Sequence, residues 1–240
     1  YLRDAERNTW GSSVNLDEAA VRSFIVARAI RNARGQQAMH ASMLINASRF
    51  TDVQGRLRSQ VADMLGLIKD AVAVDGGKGA AALRNPEIAE LHVVWKAEYA
   101  DAEGADWPVV QARLHEVLVA ARVVEVNASK RSQRLDYEQG GEHGVTVIAV
   151  GGFSLSRGLT LEGLTVSYFL RNSMMYDTLM QMGRWFGYRP GYEDLCRIWI
   201  PADGVGWYAH IHEAMDDLQA QLKRMELANA TPEQFGLAVR

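Results

Sequence analysis

The chain has 240 residues, of which 48% are hydrophobic, and a formal net charge of -3. That supports a sizeable core, in one large domain or one domain plus an appendage. The near-neutral balance excludes a global field that would draw the protein to nucleic acid or anionic membrane, so any basic surface is local. Basic residues are mostly arginine: only Lys69, Lys78, Lys96, Lys130 and Lys223 are lysine. Arginine suits bidentate binding of phosphate and carboxylate. The one cysteine, Cys196, excludes an intrachain disulfide and reads as a small core residue in a reducing cytosol. No apolar run is long enough to span a membrane and no signal peptide is visible, so the expected location is cytoplasmic. The chain opens on Tyr1 and is expected to be a piece of a longer protein.

In chain order, Asn15 can cap a helix starting at Leu16. Asp17 and Glu18 lie in its first turn and Arg31 and Arg34 in its last, the polarity the helix dipole favours, and Gly35 is its stop. Ser42 to Ala47 reads as a short buried strand. A long helix runs from about Thr51 to Gly76-Gly77. "NPEIAELHVVWKAEYADAEG" and "WPVVQARLHEVLVAA" are helical, with Asp106 and Pro108 framing the second start. Arg122 to Ser129, Val145 to Val150, Thr165 to Leu170 and "DLCRIWIP" read as strands. A polar, glycine-containing loop covers 129–144. "SMMYDTLMQMGRWFG" is a helix capped by Ser173, and a long helix from about Tyr208 closes the chain.

Short buried strands alternating with helices imply an α/β fold with a parallel sheet covered on both faces. Ligands on such sheets bind beyond the strand C-termini. Two motifs fall there: "GGFSLSRGL", which begins at Gly151 after a strand, and "QMGRWFGYR", Gln181 to Arg189, on the next helix.

Together these segments resemble the second RecA-like lobe of superfamily 2 helicases and translocases. Ser156-Arg157-Gly158-Leu159 is similar to motif V. Gln181, Gly183 and Arg184 resemble motif VI, and "SMLINASRFTDVQGRL" resembles motif IV. The wording "GGFSLSRGLTLEGL" and "YDTLMQMGRWFGYRPGYEDLCRIW" is closer to the Z-one domain of bacterial endonuclease-like and helicase-like proteins, which occur with defence-type or restriction-type genes. Two departures stand out. Gln181 lies two residues before Gly183, where the family pattern has three. The position three after Arg184 is Gly187, the nearest arginine being Arg189.

The resemblance implies a RecA-like lobe over 41–201, with a helical insert around 61–121, an N-terminal helical extension over 1–40 and a C-terminal helical segment over 202–240. It implies an arginine finger, Arg184 first and Arg189 second, with Gln181 orienting water or bridging to nucleotide. Arg157, Gly158 and Gly183 would reach the nucleotide. Ser48, Arg49, Gly152 and Ser156 would meet the nucleic-acid backbone, setting position rather than sequence. The cofactor implied is ATP with Mg, held mainly by an upstream lobe, because no G....GK[ST] phosphate loop exists in this chain. The partners implied are DNA, that N-terminal ATPase lobe and defence-system proteins, with no membrane.

Blander readings stand beside these. Arg184 can pair with Asp177 two turns away, and Trp185, Phe186 and Tyr188 can be core rather than a base-stacking platform. Arg49 can be a solvated loop residue. Leu114, Leu118 and Ala121 fit either core or a docking face. A metal-dependent endonuclease domain is the second functional reading. It gains little here, since none of the five lysines has an acid two residues before it and the histidines show no ligand spacing. His210 and His212 point to different sides of a helix. Asp136, Glu138, Glu142 and His143 form a polar loop cluster that reads as solvated rather than as a metal site. The third reading is a non-catalytic lobe that docks a partner protein.

Overall fold

A computed structural model of the chain describes residues 17–46, 50–126, 137, 144–152, 161–170, 191–200 and 202–227. The described elements are α1 (Glu18–Ala33), β1 (Ala41–Asn46), α2 (Thr51–Asp75), a 3-10 run (Gly76–Arg84), α3 (Pro86–Glu98), α4 (Trp107–Ala120), β2 (Ala121–Val126), β3 (Thr146–Gly151), β4 (Leu164–Phe169), β5 (Arg197–Trp199) and α5 (Ala202–Leu227).

The five strands form one sheet in the order β2-β3-β1-β4-β5, and every pairing is parallel. β3 and β4 are buried at all six positions, and β1 at five of six. Strands buried on both faces need apolar side chains at consecutive positions, as "TVIAVG" and "ASMLIN" supply. Met43, Ile45, Ile148, Val150, Val166 and Tyr168 join the core under α1 to α4, while Leu44, Ala149 and Phe169 belong to a second cluster. The fold is therefore the α/β parallel sheet the sequence predicts, consistent with a RecA-like lobe.

Helix α1 starts later than its sequence suggests. Asp17 is the cap, not a first-turn residue, and its side chain accepts from the Ala19 amide at 3.0 Å. The stop is as expected: Gly35 has φ +80, and its amide donates to Asn32 O. All thirteen residues from Ala20 to Asn32 are buried, so α1 is enclosed all round rather than amphipathic.

Helix α2 buries Val53, Leu57, Val61, Met64, Ile68 and Val72 on one stripe. Beyond it, "GGKGAAALR" is a 3-10 run that the glycine content hid from sequence reading. Gln111 Nε2 holds it by donating to Gly76 O and Gly79 O, and Asn85 Nδ2 donates to Asp75. Asn85 then caps α3 through the Glu87 amide, with Pro86 in its first turn. The open question over the insert closes in favour of core: Leu114 is 0% and Leu118 4% exposed, and Ala121 opens β2 and packs against the core.

Other boundaries shift. β2 starts at Ala121, and the residues after Val126 lie outside those described. "DLCRIWIP" holds only a three-residue strand, because Glu193–Leu195 form a 3-10 turn before it. The closing helix begins at Ala202, six residues before Tyr208. Cys196 is partly buried against the core, as its apolar run suggests.

Candidate nucleotide and nucleic-acid edge

Three strand ends meet at one edge of the sheet. In the register Asn46 lies beside Gly151 on one side and Phe169 on the other. The Leu170 amide donates to Asn46 O at 3.0 Å, which closes β1 against β4 one residue past the last pair. Val126 of β2 aligns with Gly151 as well. In sequence, each of the three motif-like segments follows directly on one of these ends: 47–50 on β1, 152–160 on β3, and 171–190 on β4. These strand ends lie on the side of the sheet where parallel sheets bind ligands.

Of the candidate site residues, Gly152 is described, and it is buried. Ser48, Arg49, Ser156, Arg157, Gly158, Gln181, Gly183, Arg184 and Arg189 lie outside the described residues, as do Asp136, Glu138, Glu142 and His143. Helix α2 begins five residues after β1 ends, with Asp52 in its first turn. Its cap, Phe50, makes no side-chain bond to the helix. Among the described residues no group of three His, Cys, Asp or Glu side chains converges on a metal position.

The opposite edge, where the strands begin, is built from buried cations. Arg28 is 2% exposed and donates to Gln36 O, Gln37 O and Met39 O. Arg31 is 0% exposed and donates to Gln36 Oε1 at 2.9 Å and His40 O at 2.9 Å. Its guanidinium carbon lies 4.0 Å from the Tyr192 ring centroid. Burial pulls both guanidinium pKa values down, that of Arg28 to about 10, with the Arg31 charge adding to it. The carbonyls of the turn into β1 hold both, with the Tyr192 ring against Arg31 and the Glu116 charge opposing part of the shift at Arg28.

The same turn is wedged by two glycines. A Cβ on Gly163, at φ +64, would stand 1.8 Å from His40 O; one on Gly144, at φ +60, 2.6 Å from Met39 O. Ser42 Oγ donates to Glu162 O at 2.7 Å. Having one proton, it must accept from Tyr137 OH at 2.9 Å, and that hydroxyl accepts from the Glu162 amide. His40 Nδ1 accepts from the Val145 amide, and its Nε2 lies 3.7 Å from Glu162. Ser42 is therefore a structural hydroxyl and no nucleophile.

A third set of contacts fastens the segment before β5. Arg34 makes a bidentate pair with Asp194 at 2.9 and 2.6 Å, and Gln36 Nε2 donates to Gly191 O. Arg197 bonds Glu98 through its carboxylate and its carbonyl and lies over the Tyr99 ring. The Arg34 bond holds the Asp194 carboxyl below the usual carboxylate range. Sequence reading missed these anchors, which join positions up to 160 apart in the chain. The legible signal was arginine recurring on an otherwise apolar helix.

A family model described as the Z1 domain matches residues 16–240. The chain belongs to the Z1 domain family. No curated protein and no solved structure matches it. Among the described residues no helix of this Z1 domain is long and apolar enough to cross a membrane.

Proposed function

We propose that this Z1 domain is the C-terminal RecA-like lobe of a DNA-dependent ATPase of the superfamily 2 helicase or translocase type, working in phage defence or restriction. The observation that carries the reading is the convergence of the β1, β3 and β4 ends on one edge, each followed in sequence by the motif IV-, V- or VI-like segment.

In this reading ATP with Mg is held chiefly by a first lobe that supplies the phosphate loop, and it provides the transferable phosphoryl group. Arg184, with Arg189 as the alternative, brings positive charge to the transferring oxygens. Gln181 orients water or bridges to nucleotide, and Arg157, Gly158 and Gly183 line the nucleotide side. Ser48, Arg49, Gly152 and Ser156 meet DNA phosphates, which fixes position without reading sequence. The net charge of -3 requires this contact to be local.

The DNA half is tested by fluorescence anisotropy of a labelled single strand against salt concentration. Arg49→Ala should weaken binding on every sequence and reduce the log-log salt slope by about one. An unchanged slope in this variant would remove the DNA contact from this edge.

A further inference from the structure

The last row of the sheet at the candidate ligand edge runs Val126, Gly151, Asn46, Phe169, one residue from each of β2, β3, β1 and β4. Val126 and Phe169 belong to the second apolar cluster, as does Leu44, two residues before Asn46 on the central strand. Side chains alternate along a strand, so Asn46 stands on the face of that cluster and borders it. Gly151 beside it has no side chain. Among the five described strands Asn46 is the one polar residue at a C-terminal end, the others being Val126, Gly151, Phe169 and Trp199.

The Asn46 backbone is engaged, since its carbonyl accepts from the Leu170 amide at 3.0 Å. The residue is partly exposed, and among the described residues no hydrogen bond is made to its carboxamide. A carboxamide at the border of an apolar cluster adds nothing to apolar burial. Its two N–H donors and its oxygen need water or a ligand. An apolar side chain would serve the fold better at this position. The end of the central strand is where a parallel sheet takes its ligand.

We propose that Asn46 is a further nucleic-acid contact, donating from Nδ2 to a backbone phosphate oxygen of the bound strand. The inference rests on the DNA reading of this edge, in which Ser48 and Arg49, next in sequence, are phosphate contacts. A neutral donor replaces water at the phosphate without releasing a counterion. Asn46 therefore adds affinity and leaves the salt dependence to the arginine. A contact to a base edge would instead make binding depend on sequence.

The test is fluorescence anisotropy of the 240-residue chain with two labelled single DNA strands of different sequence, over a salt series. Thermal unfolding of each variant is recorded beside it. Asn46→Ala should weaken binding about tenfold on both strands and leave the log-log salt slope unchanged. Asn46→Asp has the same size but turns a carboxylate toward the phosphate, and should weaken binding more than tenfold. Both variants should melt as the natural chain does. Unchanged affinity in both would overturn the proposal. So would a loss confined to one strand, a slope reduced in Asn46→Ala, or a melting temperature lowered in both variants, which would make the side chain structural. A natural chain that binds neither strand would remove the DNA reading itself, and this proposal with it. Binding that falls in Arg49→Ala but ignores Asn46 would sink this proposal alone.

Discussion

Among the described glycines, Gly163 is the one where an added methyl group meets the closest neighbour. Its backbone has positive φ, and an added Cβ would overlap the His40 carbonyl at 1.8 Å. The Arg31 bond to His40 O depends on that carbonyl staying in place. Gly163→Ala should therefore abolish folding or cost more than about 3 kcal/mol, since both strain and a displaced buried cation contribute. Gly35 also has positive φ but nothing within 4 Å, so Gly35→Ala should cost only about 1–2 kcal/mol. Equal thermal shifts for the two variants would contradict this account of the β1 turn. His92 gives a prediction of opposite character. Its ring lies against Trp95 and Trp107 at 5.1 and 4.9 Å, and desolvation, then Lys96, lowers its pKa below the usual histidine value. A histidine depressed in the fold favours the neutral form. Its contribution to stability is present above about pH 6.5 and is lost as pH falls through the folded value. Replacing His92 with Phe should flatten stability between about pH 7 and 5, and a pH profile identical to that of the natural chain would exclude the effect.

Helices α3 and α4 belong to the core as elements, not as an appended docking face. Leu114→Ala should cost about 2–5 kcal/mol in thermal or chemical unfolding, the range for a fully buried leucine. Val119, on the same helix but 54% exposed, should cost under about 1 kcal/mol as alanine. Similar losses at the two sites would mean α4 is not seated as described. Element type was legible here because short continuous apolar runs and period-3.6 apolar patterns are local signals: β1, β3, β4, α2 and α4 are each visible in their own residues. What stayed hidden has a common physical cause. The 3-10 run after Asp75 is stabilised from outside, by Gln111, 35 residues beyond Gly76 and 32 beyond Gly79. The start of α1 is decided by which carboxylate reaches an amide, and Asp17 does so through Ala19. The Arg34–Asp194 and Arg197–Glu98 pairs are set by tertiary approach, which no local pattern encodes.

At the scale of the molecule, the sheet has two unlike edges. The edge where strands begin is closed by Arg28, Arg31 and the wedged glycines and is built for rigidity. The edge where β1, β3 and β4 end carries the three motif-like segments next in sequence. The parallel sheet followed from the order of strands and helices in the sequence. The side-chain chemistry of the site did not, because family resemblance gives residue types and spacing but not their mutual geometry. The departures at Gln181 and Arg189 concern the finger directly, so the deciding measurement is made there. ATP turnover should be assayed with and without DNA for this domain together with the nucleotide-binding lobe proposed above, beside its Arg184→Ala variant. The account predicts a DNA-stimulated rate that falls by about 10³-fold or more in the variant while melting temperature and DNA binding hold. No turnover in either protein, or an unchanged rate in the variant, would contradict the motor-lobe reading.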